Sequence, residues 1–378
     1  MSSISAQILT TTNSWAVRMA ESVLANYPPS AWKWHYEHGL FVKAVLDLGL
    51  RTGEPAYLQF ASRWLDHFIS PSGEIRTYNL SDFNLDQINP GRLLFYLYQQ
   101  TGSLRYRRAI ELLNEQLCLQ PRNPDGGFWH KNIYPQQMWL DGLYMAEPFR
   151  ALFASTFAEP SIFDDVTRQF ILMEEHARDP QTGLLYHGWD ESHQEKWARP
   201  ESGCSSSVWG RGMGWFVMAL VDVLELLPES HPDRLKLIGI LRRSASALVH
   251  FQDPQTGLWW QVVNHPGRKG NYRESSVTAM LVYVFCKAVQ RNHLEREYLS
   301  AAGRAYRGLL ENMIKVDGSG RLTLEGTCGV AGLGGSPYRD GSYEYYVSEP
   351  IIPNDFKGVG PFILATLEME ASGGEKMP

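Results

Sequence analysis

DPQTGLLYH, residues 179–187, returns as DPQTGLWWQ at residues 253–261. Six identical residues at two separate places mark an internal repeat. The flanks repeat as well. Upstream lie segments apolar at helical spacing: Ile162, Val166, Phe170 and Met173 in one case, Leu237, Leu241, Ala245 and Leu248 in the other. Charged residues fill their opposite faces, which suits outer helices half in contact with water. Downstream lie WGRGMGWFVMALV (from 209) and ESSVTAMLVYVF (from 274), apolar over most of their circumference, as buried helices are. The unit is thus an outer helix, a long glycine-turn connection and an inner helix.

The same unit extends both ways along the chain. Outer segments recur around Trp15–Val23, Tyr57–Phe68, Leu104–Leu117 and Tyr298–Met313, and inner ones begin near WHYEHGLFVKAVL (34), INPGRLLFYLY (88), MWLDGLYMAEPF (138) and NDFKGVGPFILATL (354). Short turns such as RTGEP (51–55) lead from inner to outer segments, and after the first pair longer ones lead back, among them SPSGEIRTYN (70), NPDGGFWHK (123) and DGSGRLTLEG (317). Twelve helices in six pairs predict an all-α, closed (α/α)6 barrel over residues 1–378 as a single domain, with short β-hairpins in the long loops at one end. An open solenoid is the alternative; its repeats are shorter and more regular than these, which run from about 50 to 70 residues. Gly210, Gly212 and Gly214 in one helix cost stability unless backbones pack closely there.

Composition narrows the function. The 378 residues are 44% hydrophobic and 20% charged with net charge −6, a globular balance. Four scattered cysteines support neither a disulfide framework nor a zinc site. The absence of basic runs argues against nucleic acid, and no apolar run reaches the roughly 20 residues of a membrane helix. MSSISAQILTTTNSW lacks the basic start and apolar core of a secretory signal, so a cytoplasmic address is expected.

The predicted loop end gathers Asp, Glu, His and Arg with many of the 12 Trp residues. Aromatic faces stack on sugar rings while carboxylates bind hydroxyls, so the set taken jointly reads as a carbohydrate cleft, although any single Trp is better explained by the core. Inner helices that start at one mouth converge their positive ends there and favour an anion. Arg211, just inside such a start, is either a carboxylate partner for an acidic sugar or the partner of a structural Asp or Glu. Asp86 and Asp141 stand at entries to inner helices and are the catalytic candidates; Asp141 in its apolar phrase would be costly without a role. His130 and His187 read as cleft residues. His187, Asp190 and His193 match no metal-ligand spacing, so no metal and no cofactor is expected.

MWLDGLYMAEPF, SSVWGRGMGWFVMALVDVLELLP, YRESSVTAM and RDGSYEYYVSEPIIPNDFKGVGPFILATLE resemble the unsaturated rhamnogalacturonyl hydrolases of glycoside hydrolase family 105, with family 88 unsaturated glucuronyl hydrolases more distant. The resemblance, running from about residue 30 to 370, implies the six-hairpin barrel and an oligosaccharide substrate ending in a 4,5-unsaturated uronic acid. It implies hydration of the C4=C5 vinyl ether, with Asp141 as proton donor and water activator and Asp86 holding ring hydroxyls. Trp34 or Tyr36, His130, His187, Trp209, Arg211 and Trp215 fall on substrate-contact positions. A rhamnogalacturonan-type hydrolase, monomeric or weakly self-associating, is the resulting expectation. Rivals are a glucuronyl-specific hydrolase, an epimerase or conventional glycosidase on the same barrel, and a non-catalytic oligosaccharide-binding protein.

Overall fold

The computed structural model describes residues 14–373, so all but the last two residues of the N-terminal stretch read for a signal lie outside it. The outer helices are α1 (Trp15–Leu24), α3 (Pro55–Phe68), α5 (Leu104–Leu119), α7 (Ile162–Ala177), α9 (Arg234–His250) and α11 (Tyr298–Asn312). Inner helices alternate with them: α2 (Tyr36–Thr52), α4 (Arg92–Thr101), α6 (Leu140–Phe157), α8 (Gly210–Leu226), α10 (Ser275–Gln290) and α13 (Phe356–Ala371). A short helix inside the last connection, α12 (Tyr343–Ser348), is signalled by no periodicity in the sequence.

The inner helices close into a ring. α13 packs on both α2 and α10, α8 on α10 and α6, and α6 on α4, while the 3-10 turn leading into α4 packs on α2. This ring excludes the open solenoid. Glycines set the approach of its members: a Cβ on Gly360 of α13 would lie 2.8 Å from Leu40 of α2, and one on Gly214 of α8 would lie 2.5 Å from Met280 of α10. Both contacts join early turns of neighbouring helices, so the inner helices run parallel and start at one end. Pro148 inside α6 cannot donate to the Tyr144 carbonyl, and Asn89 Nδ2 donates to it instead at 3.2 Å. Between the rings the packing is aromatic, as where Phe170 of α7 meets Phe216 of α8 edge-on at 5.8 Å between centroids.

The repeated phrase builds the same turn twice. Asp179 N donates to Leu184 O at 2.8 Å and Asp253 N to Leu258 O at 2.9 Å, and each Asp side chain accepts from the Thr hydroxyl three residues on. Gly183 and Gly257 both take φ of 74°, where a side chain would be strained. The expected hairpins form in part. β5 (Ile314–Val316) with β6 (Leu322–Leu324) and β3 (Trp259–Trp260) with β4 (Arg273–Glu274) each pair within one connection. The connections at 69–75, 122–128 and 178–185 close by single bridges. β1 (Gln137–Trp139) and β2 (Gly188–Asp190) join two different connections.

Candidate active site

The β1–β2 ladder creates half of the site. Its register sets Trp139 opposite Gly188, so Asp141, just after β1, meets His187, just before β2. Leu140 N donates to His187 O at 3.0 Å, and the side chains then meet with His187 Nε2 2.9 Å from Asp141 Oδ2. His187 Nδ1 lies 2.6 Å from the Tyr346 hydroxyl of α12. His187 and Tyr346 are fully buried, whereas Asp141 keeps 9% of its surface exposed. As the second residue of α6, Asp141 also sits in the positive end of that helix.

The other half is a carboxylate beside a lysine and two histidines. Asp86 lies in the 3-10 turn Leu85–Gln87, where Asn84 Oδ1 accepts its backbone N–H at 3.0 Å. Lys131 Nζ is 2.6 Å from its Oδ2, His130 Nε2 is 3.6 Å from Oδ1, and His35 Nε2 is 4.0 Å from Oδ2. Burial alone would raise the Asp86 carboxyl, but the Lys131 ammonium and the two imidazoles hold it down at about 2. Burial pushes His130 down to about 4 against the pull of Asp86, so that ring is uncharged at neutral pH. The Asp141 carboxylate also pulls His130 upward, more weakly than Asp86 does. Its ring stacks on Trp139 at 4.5 Å, and Trp139 in turn stacks on Tyr134 at 4.8 Å.

The remaining sequence candidates surround this pair, mostly from behind. Trp34 is 3% exposed, stacks on Trp64 and donates its indole N–H to Gln87 O at 2.9 Å, bracing the turn that carries Asp86. Tyr36, half-buried at the start of α2, meets the edge of Trp215, whose other neighbour is Tyr144 at 4.8 Å. Trp209 caps α8 and backs the His187 ring at 4.7 Å between centroids. Of the two roles open to Arg211 in the sequence, the structure shows contacts within the protein. Its guanidinium is buried and donates to Cys328 O at 2.6 Å and Gly329 O at 3.2 Å, with Glu274 3.6 Å away. Arg211 therefore ties α8 to the last connection, the structural alternative read from sequence.

Trp189, two residues beyond His187, stacks on His176 of α7 at 3.7 Å and faces the outer ring. Asp190 is spent within its own loop, accepting from Ser192 Oγ at 2.7 Å and Glu195 N at 2.9 Å. Among the described residues no group of three or more His, Cys, Asp or Glu side chains is disposed to hold a metal. Three residues of the constellation went unread in the sequence: Lys131, His35 and Tyr346. Lys131 follows His130 directly in NPDGGFWHK, and that basic pair beside a Gly turn was the available signal. No helix among the described residues is long and apolar enough to cross a membrane.

Comparison with known proteins agrees with this fold. The family model described as Glycosyl Hydrolase Family 88 matches residues 8–372. A solved family 105 glycoside hydrolase from C. acetobutylicum superposes with a TM-score of 0.92 at 43% identity, covering 95% of this chain and 99% of that one. Protein Atu3128 of Agrobacterium fabrum is 39% identical over 230 residues, 59% of this chain and 97% of that protein. The unsaturated rhamnogalacturonyl hydrolase YesR of Bacillus subtilis is 29% identical over 255 residues, 66% of this chain and 68% of that protein. A closed (α/α)6 ring, two carboxylates at its helix starts and these likenesses lead to one conclusion: the chain is a glycosidase of the family 88 and 105 group.

Proposed function

We propose that this enzyme releases the 4,5-unsaturated uronic acid from the non-reducing end of lyase-generated oligosaccharides, most readily those of rhamnogalacturonan type, within one catalytic domain. One observation carries the reading: two buried carboxylates stand in opposite settings. Asp86 is pinned by Lys131 and stays ionised at any working pH, so it delivers no proton. Proton transfer then falls to Asp141, which His187 orients at the start of α6.

The chemistry suits that division. Asp141 gives its proton to C4 of the C4=C5 vinyl ether, and positive charge develops at C5 beside the ring oxygen. The regenerated carboxylate accepts a proton from the water that adds at C5. The hemiketal opens to a C5 ketone and a C1 hemiacetal, which expels the remaining sugar as an alcohol. Asp86, as an anion, accepts hydrogen bonds from ring hydroxyls. The converging inner-helix starts favour the substrate carboxylate in place of Arg211. YesR, named for unsaturated rhamnogalacturonyl hydrolysis, supports the rhamnogalacturonan type. Incubation with unsaturated galacturonyl-rhamnose disaccharide should abolish the ultraviolet absorbance of the conjugated ene acid. Persistence of that absorbance on both galacturonyl and glucuronyl substrates would refute the proposal.

A further inference from the structure

We propose that Tyr346 is a positioning residue that fixes the tautomer of His187, and through it selects the Asp141 oxygen that carries the reacting proton; this rests on the role given to Asp141 above. The Tyr346 hydroxyl is fully buried, and His187 Nδ1 at 2.6 Å is its hydrogen-bond partner among the described residues. A buried O–H without an acceptor is costly, so the hydroxyl donates to Nδ1. Nδ1 is then the proton-free nitrogen and Nε2 carries the hydrogen. At 2.9 Å, Nε2–H donates to Asp141 Oδ2. That commits Oδ2 as an acceptor and leaves Oδ1 to hold and hand over the proton.

Tyr346 is itself held in place. Gln261 Nε2 donates to the Tyr346 carbonyl at 3.0 Å, and Gln261 Oε1 accepts the Trp209 indole N–H at 3.2 Å. The rings of Trp209 and Tyr346 are roughly parallel, 23° apart in plane. Trp209, Val262, Cys328, Ala331, Tyr343 and Tyr346 form an apolar cluster separate from the main core. That cluster seats α12 at the mouth, which gives the short helix a purpose that its length alone does not suggest.

The test reads the imidazole directly. In the enzyme labelled with 15N-histidine, the His187 resonances, assigned by their loss in His187→Gln, should show a proton-free Nδ1 and a protonated Nε2 near neutral pH. A protonated Nδ1, whether as the other tautomer or as imidazolium, overturns the proposal. Tyr346→Phe is nearly isosteric and should lower kcat about tenfold, the effect of one lost orienting hydrogen bond, with KM within about twofold. A folded Tyr346→Phe with the wild-type kcat overturns it as well. The spectrum of the unsubstituted enzyme needs neither substrate nor variant. It decides the tautomer even if no unsaturated uronide is turned over or the variant fails to fold.

Discussion

Replacing Lys131 by Met removes the ammonium 2.6 Å from Asp86 and keeps most of the apolar stem. In the intact protein the Asp86 carboxyl is lowered from 3.8 to about 2 although burial opposes the shift. At 1.36 kcal/mol per pKa unit this displacement corresponds to roughly 2 kcal/mol of stability. The folded pKa lies below the unfolded one, so the contribution is complete well above pH 4, falls to about half near pH 3 and vanishes below about 2. In Lys131→Met, burial acts with less opposition and Asp86 no longer favours the folded state as an anion. Urea unfolding of both proteins between pH 3 and 7 should show a gap of about 2 to 3 kcal/mol at pH 7. It should narrow to about half at pH 3. The variant's kcat/KM should also lose its acid side at a higher pH, as Asp86 takes a proton. A stability gap of the same size at pH 3 and pH 7 would refute the reasoning, because the loss would then be one of packing and not of charge.

Other substitutions probe the remaining parts. Asp141→Asn should lower kcat by at least about a hundredfold, the usual reach of a general acid, with binding retained by calorimetry; wild-type turnover in a folded variant would move the proton donor elsewhere. Arg211→Met should cost about 3 to 5 kcal/mol in urea unfolding, since it leaves the Cys328 and Gly329 carbonyls and Glu274 without their partner. Unchanged stability with a KM raised more than tenfold would restore Arg211 as a substrate ligand. Gly360→Ala gains helix propensity but sets a methyl 2.8 Å from Leu40 Cγ, so a net destabilisation of about 1 to 2 kcal/mol is expected. A more stable variant would show that the α2–α13 contact yields easily.

The architecture was legible because it is written locally. A six-residue repeat fixed the unit, and apolar periodicity told outer helices from inner ones, down to starts within a few residues of those observed. The helix-entry positions of Asp86 and Asp141 were legible for a related reason, and in the apolar phrase around Asp141 a carboxylate is conspicuous. What escaped depends on contacts between distant segments. Arg211 looks the same in sequence whether it faces a cleft or the carbonyls of Cys328 and Gly329. Trp189 and His187 are two residues apart, yet one faces α7 and the other Asp141. Tyr346 belongs to a helix of one and a half turns, too short to show a period, and it meets His187 only because the last connection folds back over the mouth.

Hydration of the vinyl ether, with Asp141 supplying the proton, is the central claim, and running the reaction in deuterium oxide tests it most directly. Time-resolved NMR of the first-formed product should show a single deuterium at C4, on one face only, with the C4=C5 bond gone. A first product that keeps its double bond and carries no deuterium at C4 would mean direct displacement at C1, and would contradict the account.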